Sequence, residues 1–167
     1  FPEQKAIAKV LSDIDELIES IEKLIHKKKQ IKQGAMQELL TGKKRLPGFS
    51  GKWEVKRLGE IAEIATGSTP PTKDKTNYGD KYLFVSPADL RENKYVWNTE
   101  KKLSEKGFRL SRKFPPNTIL FTCIGSTIGK TGILPIEATS NQQINAILPN
   151  ESYSTEFVYY YLSHIAL

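Results

Sequence analysis

Apolar residues in the first part of the chain recur at the period of a helix. Ile7, Ile14 and Ile21 stand seven residues apart, as do Leu11, Ile18 and Ile25, and Val10, Leu17, Leu24 and Ile31. Together they form a wide stripe along one side of a helix. Lys9, Asp13, Glu16, Glu19, Glu22, Lys23 and Lys27 lie between them and are expected to face water. Pro2 is tolerated in a first turn, and Glu3 suits the positive end of the helix dipole. Gly42, after Leu39, Leu40 and Thr41, is the predicted stop, and Gly34 weakens the last third. About 37 residues at 1.5 Å each give a rod of about 55 Å. Such a rod cannot bury a broad stripe on itself, so it needs a partner helix from the same protein or another chain. Ile7, Leu11, Ile14, Leu17, Ile18, Ile21, Leu24, Ile25 and Ile31 are the expected pairing face.

The helical period then stops. Thr41 to Lys52 carries glycines, a proline and the basic triplet Lys43-Lys44-Arg45, which together argue for a linker. The predicted division is a helix over 1–42, a linker over 43–52 and a second domain over 53–167. In that domain short β-prone runs appear at Glu63–Thr66, Tyr82–Ser86, Thr118–Ile124, Gly132–Pro135 and Ile144–Leu148. Turn residues separate them: Gly67-Ser68-Thr69-Pro70-Pro71, Tyr78-Gly79-Asp80, Pro115-Pro116-Asn117 and Gly125-Ser126. Trp53 to Ala62 is expected to hold one short helix and Thr155 to Ala166 another. The fold class is α+β: a long coiled-coil-forming helix followed by a mixed α/β, mainly β domain. The chain closes on the apolar helical stretch Ser163–Leu167 without a cap, and the domain is expected to be incomplete there.

Charge changes the picture. The 167 residues carry a formal charge of +6, which favours a polyanionic partner, most simply nucleic acid. Lys27, Lys28, Lys29 and Lys32 crowd one region of the helix, read either as a solvated basic face or as a contact to phosphates or an acidic partner. No run is apolar over the roughly 20 residues that span a bilayer, and no signal peptide is visible. Phe1 in place of Met suggests a fragment or a processed product. The single cysteine, Cys123, cannot form an internal disulfide and fits a reducing cytoplasm.

The chemistry-bearing motifs read weakly. Gly125-Ser126-Thr127-Ile128-Gly129-Lys130-Thr131 resembles a phosphate-binding loop, but only three residues separate its glycines where four are needed. A strand, not a helix, is expected to follow, so the segment is predicted to be a turn exposing Ser126, Thr127 and Lys130. Cys123 is read as a buried thiol in a strand, because neither His26 nor His164 is placed to activate it. Two histidines and one cysteine argue against zinc, and the acidic residues show no catalytic spacing.

What remains is a set of polar and basic loops with interleaved aromatics. Ser68, Thr69, Lys73, Lys75, Asn77 and Tyr78 fall in one loop, and Arg91, Lys101, Arg109 and Arg112 in another. Asn141, Gln142 and Gln143 precede a strand. Lys and Arg can neutralise phosphates and read guanine, and Asn and Gln can read adenine. An ordinary hydrophilic surface accounts for these loops equally well.

Several segments, in order, add a resemblance. Phe1-Pro2-Glu3-Gln4-Lys5-Ala6-Ile7-Ala8 is similar to the start of the conserved helix in type I restriction-modification specificity subunits, and Met36 to Phe49 to its end. Trp53–Ile61 and Gly67-Ser68-Thr69-Pro70 resemble the opening of a target-recognition domain. Val85–Leu90, Gly125–Gly129 and Asn141-Gln142-Gln143 resemble its later landmarks. The resemblance implies a non-catalytic subunit in which two recognition domains alternate with two antiparallel helices, so that a split double-stranded DNA site is read in two halves. It implies docking of a methylation subunit and, in some systems, a restriction subunit. S-adenosylmethionine, ATP and Mg belong to those partners, and no cofactor or metal to this chain. With one helix and one recognition domain, the chain is read as part of a longer subunit or as a half-subunit that pairs with itself or another half. Two other readings stay open: a coiled-coil adaptor whose β domain binds protein or carbohydrate, and an enzyme with an unrecognised site.

Overall fold

The computed structural model describes residues 1–90 and 93–166. They form two compact units, Phe1–Lys52 and Trp53–Leu167.

The first unit is dominated by helix α1 (Pro2–Leu39). It runs unbroken through Gly34, which good helix formers flank. Ion pairs one turn apart, Lys9–Asp13 at 3.0 Å and Lys23–Glu19 at 2.6 Å, line its polar side. The helix closes where Gly42 adopts φ +71° and donates its N–H to Leu39 O at 3.3 Å. None of its residues is buried within the unit. The apolar stripe stays about half exposed, from Ile21 at 47% to Leu17 at 58%.

The second unit is layered. A four-stranded sheet has the order β1 (Ile64–Thr66), β9 (Ile144–Ile147), β6 (Ile119–Thr122) and β7 (Thr131–Ile133), with every neighbour antiparallel. A five-stranded sheet has the order β2 (Tyr78–Gly79), β4 (Lys102–Leu103), β3 (Tyr82–Val85), β8 (Ala138–Ser140) and β5 (Lys113–Phe114). Only the β3–β8 pairing in it is parallel. Strand alternation assigns each face its cover. Leu83, Val85, Phe114, Leu120, Ala138, Ile144 and Ala146 meet in one core where the sheets face each other. Ile119, Ile133 and Ile147 point the other way, onto α4 (Thr155–Ile165), with Val158, Tyr159 and Leu162. Phe84 and Leu103 pack with Phe108 of α3 (Glu105–Leu110) on the outer face of the five-stranded sheet.

The five expected strands are present; four are shorter at one or both ends, and the one expected at Gly132–Pro135 begins a residue earlier and ends two earlier, at Thr131–Ile133. Of the expected helix over 53–62 only α2 (Leu58–Ile61) forms. Helix α3 and strands β2, β4, β5 and β8 were not anticipated. Among the described residues no helix is long and apolar enough to cross a membrane.

Candidate nucleic-acid interface

Sheet register brings four distant segments to one end of the second unit. Thr66 lies opposite Asn145, Thr122 opposite Ile144 and Phe121 opposite Thr131. The exits of β1 and β6 and the entries of β9 and β7 therefore share one end of the four-stranded sheet. In the five-stranded sheet Val85 lies opposite Ser140, and Lys113 opposite Thr139. Two backbone bonds tie the ends together, Ser68 N–H to Ser140 O at 2.8 Å and Asn141 N–H to Val85 O at 2.9 Å. Gly67 sits at the junction. A Cβ there would collide with Asn141 O and Ser140 Oγ, so this close approach requires glycine.

Side chains at this end hold one another. Ser68 Oγ accepts from Arg112 N–H at 2.7 Å, and Arg112 Nη1 donates to Thr66 O at 2.7 Å. Thr69 Oγ1 donates to Gln142 Oε1 at 2.6 Å, and Asn141 Nδ2 donates to Gln143 Oε1 at 3.0 Å. The β6–β7 connection is a turn fixed by Gly125 (φ +100°) and Gly129 (φ +93°). Gly129 N–H bonds Thr122 O at 3.0 Å, and Cys123 N–H bonds Gln143 O at 2.9 Å. Ser126 and Lys130 are exposed on this turn and Thr127 is half-buried. As expected, it leads into a strand, which is not the structure of a phosphate-binding loop. Segments 67–69, 123–130 and 140–143, with Arg112, contain two cations and no carboxylate. Ser68, Thr69, Arg112, Ser126, Thr127, Lys130, Asn141, Gln142 and Gln143 are thus gathered at one place.

The other candidates lie elsewhere. Lys73 is exposed in the loop before a 3-10 turn at Lys75–Asn77, and Lys75 is exposed in that turn. Tyr78 is half-buried in β2. Lys101 is exposed at the entry of β4. Arg109 stands on α3, its Nε 3.1 Å from Glu105. Arg91 lies outside the described residues. Asn77 is a correction: it is fully buried, and its Nδ2 donates to Pro71 O at 3.0 Å, so it shapes the loop and presents nothing outward. Cys123 is a second correction. It follows β6 instead of lying in it, and it is half-buried, with Sγ 3.5 Å from Phe121 O.

Charge on the 3-10/α3 group is largely neutralised internally. Lys106 bonds Asp74 at 2.6 Å and, with Thr76, holds that carboxyl down to about 2. Tyr82 and Lys81 do the same for Glu105, also to about 2. Farther off, Lys94 lies 2.7 Å from Glu156 of α4 and over the rings of Tyr95 and Tyr160. This contact lowers the Glu156 carboxyl and raises the lysine, and it pins the 94–96 segment to α4.

Comparison with known proteins decides the family. Residues 50–167 match the type I restriction modification DNA specificity domain. The chain belongs to this family. It is 35% identical over 112 residues to the MjaIX specificity subunit of Methanocaldococcus jannaschii, covering 65% of this chain and 26% of that protein. It is 32% identical over 109 residues to the HindI specificity subunit of Haemophilus influenzae, covering 64% of this chain and 24% of that one. The putative MjaX specificity subunit matches 98% of this chain at 29% identity, over 40% of its own length. The chain therefore spans about a quarter to two fifths of these relatives. Two solved folds agree. One is the S subunit of a type I restriction-modification system from M. genitalium, with TM-score 0.70 and 19% identity over 98% of this chain and 42% of that one. The other is the HsdS subunit of Thermoanaerobacter tengcongensis, with TM-score 0.60 and 19% identity over 99% and 42%.

In this specificity domain the structure adds residues that sequence reasoning missed. Thr66 and Asn145 are joined side chain to side chain at 2.9 Å beside Arg112. The only signal for Asn145 was a polar residue between Ile144 and Ala146 in an apolar strand. Ile124 and Ile128 stand 57% and 62% exposed on the β6–β7 turn, and nothing in their residue type announced it.

Proposed function

We propose that this chain is a DNA sequence-recognition element of a type I restriction-modification complex, reading one half of a bipartite site. The observation that supports it best is the gathering of Ser68, Thr69, Arg112, Lys130, Asn141, Gln142 and Gln143 at one end of the sheets, where segments 67–69, 123–130 and 140–143 hold no carboxylate. Amide and guanidinium groups offer the donors and acceptors that base edges in a major groove require. Exposed Lys73, Lys75 and Lys101 are suited to phosphates.

In this reading the chain is non-catalytic. It scaffolds methylation subunits that carry S-adenosylmethionine, and a restriction subunit using ATP and Mg where one is present. Helix α1 pairs with a second helix, from another half-subunit or another copy, so that two half-sites are held apart. Family membership disfavours an adaptor that binds protein or carbohydrate. The working place is the cytoplasm, where host DNA lies.

The test is a domain exchange. Residues 53–167 are replaced by the corresponding domain of another specificity subunit, the complex is purified with its methylation subunit, and methylated adenines are mapped. The methylated half-site should change with the domain. An unchanged half-site refutes the proposal.

A further inference from the structure

Two isoleucines are exposed where the fold has no use for them. Ile124 and Ile128 flank the tip residues Gly125, Ser126 and Thr127 of the β6–β7 turn and remain 57% and 62% exposed. The turn is held without either isoleucine side chain: Gly125 and Gly129 supply positive φ, Gly129 N–H bonds Thr122 O at 3.0 Å, Lys130 N–H bonds Thr127 O at 3.2 Å, and Thr131 Oγ1 donates to Gly129 O at 2.9 Å. A polar residue at 124 or 128 would serve the turn as well and would hydrate better. The turn is also backed. A Cβ on Gly129 would come within 2.7 Å of Ala166 Cβ, so the end of α4 supports it from that side. The result is a firm tip with an apolar surface, set among hydrogen-bonding and cationic side chains.

The surroundings indicate what covers the tip. Ser126, Thr127 and Lys130 share the turn, Gln143 accepts from its Cys123 N–H through its carbonyl, and segments 67–69 and 140–143 beside it hold no carboxylate. On the turn the two isoleucines are accompanied by glycines, Ser126, Thr127 and Lys130, and exposed Ala166 at the end of α4 stands beside Gly129. The major groove of DNA offers the matching surface. Its edges are donors and acceptors, interrupted by one apolar group, the C5 methyl of thymine. Phosphates on either side suit Lys130 and Arg112.

We propose that Ile128, with Ile124 beside it, reads the C5 edge of a pyrimidine in the major groove and favours a methyl there. This rests on the DNA-recognition reading above and adds an apolar determinant to it. The isoleucine side chain removes one methyl from water in the complex, and the expected preference is about fourfold in binding, as for one buried methyl group.

The experiment uses the complete complex on its mapped site. Thymines are replaced singly by uracil, which removes the methyl, and cytosines by 5-methylcytosine, which adds one, so every base pair is probed. Wild type, Ile128→Ala, Ile124→Ala and Ile136→Ala are compared. Ile136 is 48% exposed beyond the other end of β7 and serves as control. At one position wild type and the Ile136 variant should bind the methylated pyrimidine about fourfold more tightly. Ile128→Ala should bind both forms alike while keeping its specificity at other positions. If wild type distinguishes no methyl, or if the same penalty persists in both turn variants, the Ile assignment is overturned while DNA recognition stands. Loss of all site-specific binding by the wild-type complex would overturn both.

Discussion

Replacing Ile18 and Ile25 together by Asp should abolish pairing of α1. On the helix by itself these side chains are 51% and 49% exposed. Covering the remaining half of an isoleucine contributes about half of the roughly 1.5–3 kcal/mol of full burial, so about 1 kcal/mol each. A symmetric pair contains four such side chains, and losing them costs about 4 kcal/mol, about a thousandfold in dissociation constant. Aspartates at the seam add desolvation and like-charge repulsion in the same direction. The assay is sedimentation equilibrium of the full chain over a concentration series, with circular dichroism to show that helix content persists. Lys23→Ala, which removes a partner of Glu19 on the polar side, should leave association nearly unchanged, because exposed one-turn ion pairs contribute only a few tenths of a kcal/mol. A double aspartate variant that associates as tightly as the wild type would refute the pairing face.

Gly67→Ala should destabilise the second unit by about 1–3 kcal/mol in urea unfolding, because a Cβ there meets Asn141 O and Ser140 Oγ. Lys73→Ala or Lys101→Ala should weaken binding to cognate and scrambled duplexes alike and reduce the salt slope by about one. Asn141→Ala or Gln142→Ala should instead cost roughly 1–3 kcal/mol at one base pair and relax specificity there, as read from a panel of single-substituted duplexes. Asp74 and Glu105 are both held near about 2, below their ordinary values. Their contribution to stability is fully present above the ordinary carboxylate range and is lost as pH falls toward about 2. Melting temperature should therefore drop across that acid window, and Asp74→Asn should flatten the drop.

Legibility followed segment length and the source of each contact. Helix α1 was plain because eleven turns' worth of periodic sequence repeat one signal, whatever the partner. Strands β1, β3, β6, β7 and β9 carry runs of β-branched and aromatic residues. By contrast, Lys102–Leu103, Lys113–Phe114 and Ala138–Ser140 are too short to show a period, and backbone pairing to a neighbour defines them. Helix α3 has a capping Ser104 but fewer than two turns, with Gly107 admitted because a Cβ would strike Asn77 O. Asn77 itself was misread since an amide in a basic loop looks the same whether it points outward or, as here, ties the loop to Pro71. The candidate interface was legible as residue types and illegible as a place. Thr69 and Gln142 are 73 positions apart, and only the sheet register makes them neighbours.

That register also separates the residues that position from those left to read. Gln142 has committed Oε1 to Thr69, which leaves both amide donors of the side chain available. Arg112 has committed one N–H to Thr66 O out of five. Asn141 and Gln143 bond each other, so either can meet a base only by sharing or breaking that bond. Loss of a neighbour's hydrogen bond should therefore alter which base is preferred more than how tightly DNA is held, because the freed group reorients while the phosphate contacts remain. Lysines on the 3-10 loop and at β4 carry no such network, and each can be lost alone with a uniform effect. A preorganised cluster of amides and one arginine, with independent cations elsewhere on the domain, is the arrangement expected where sequence preference and electrostatic affinity are supplied by different residues.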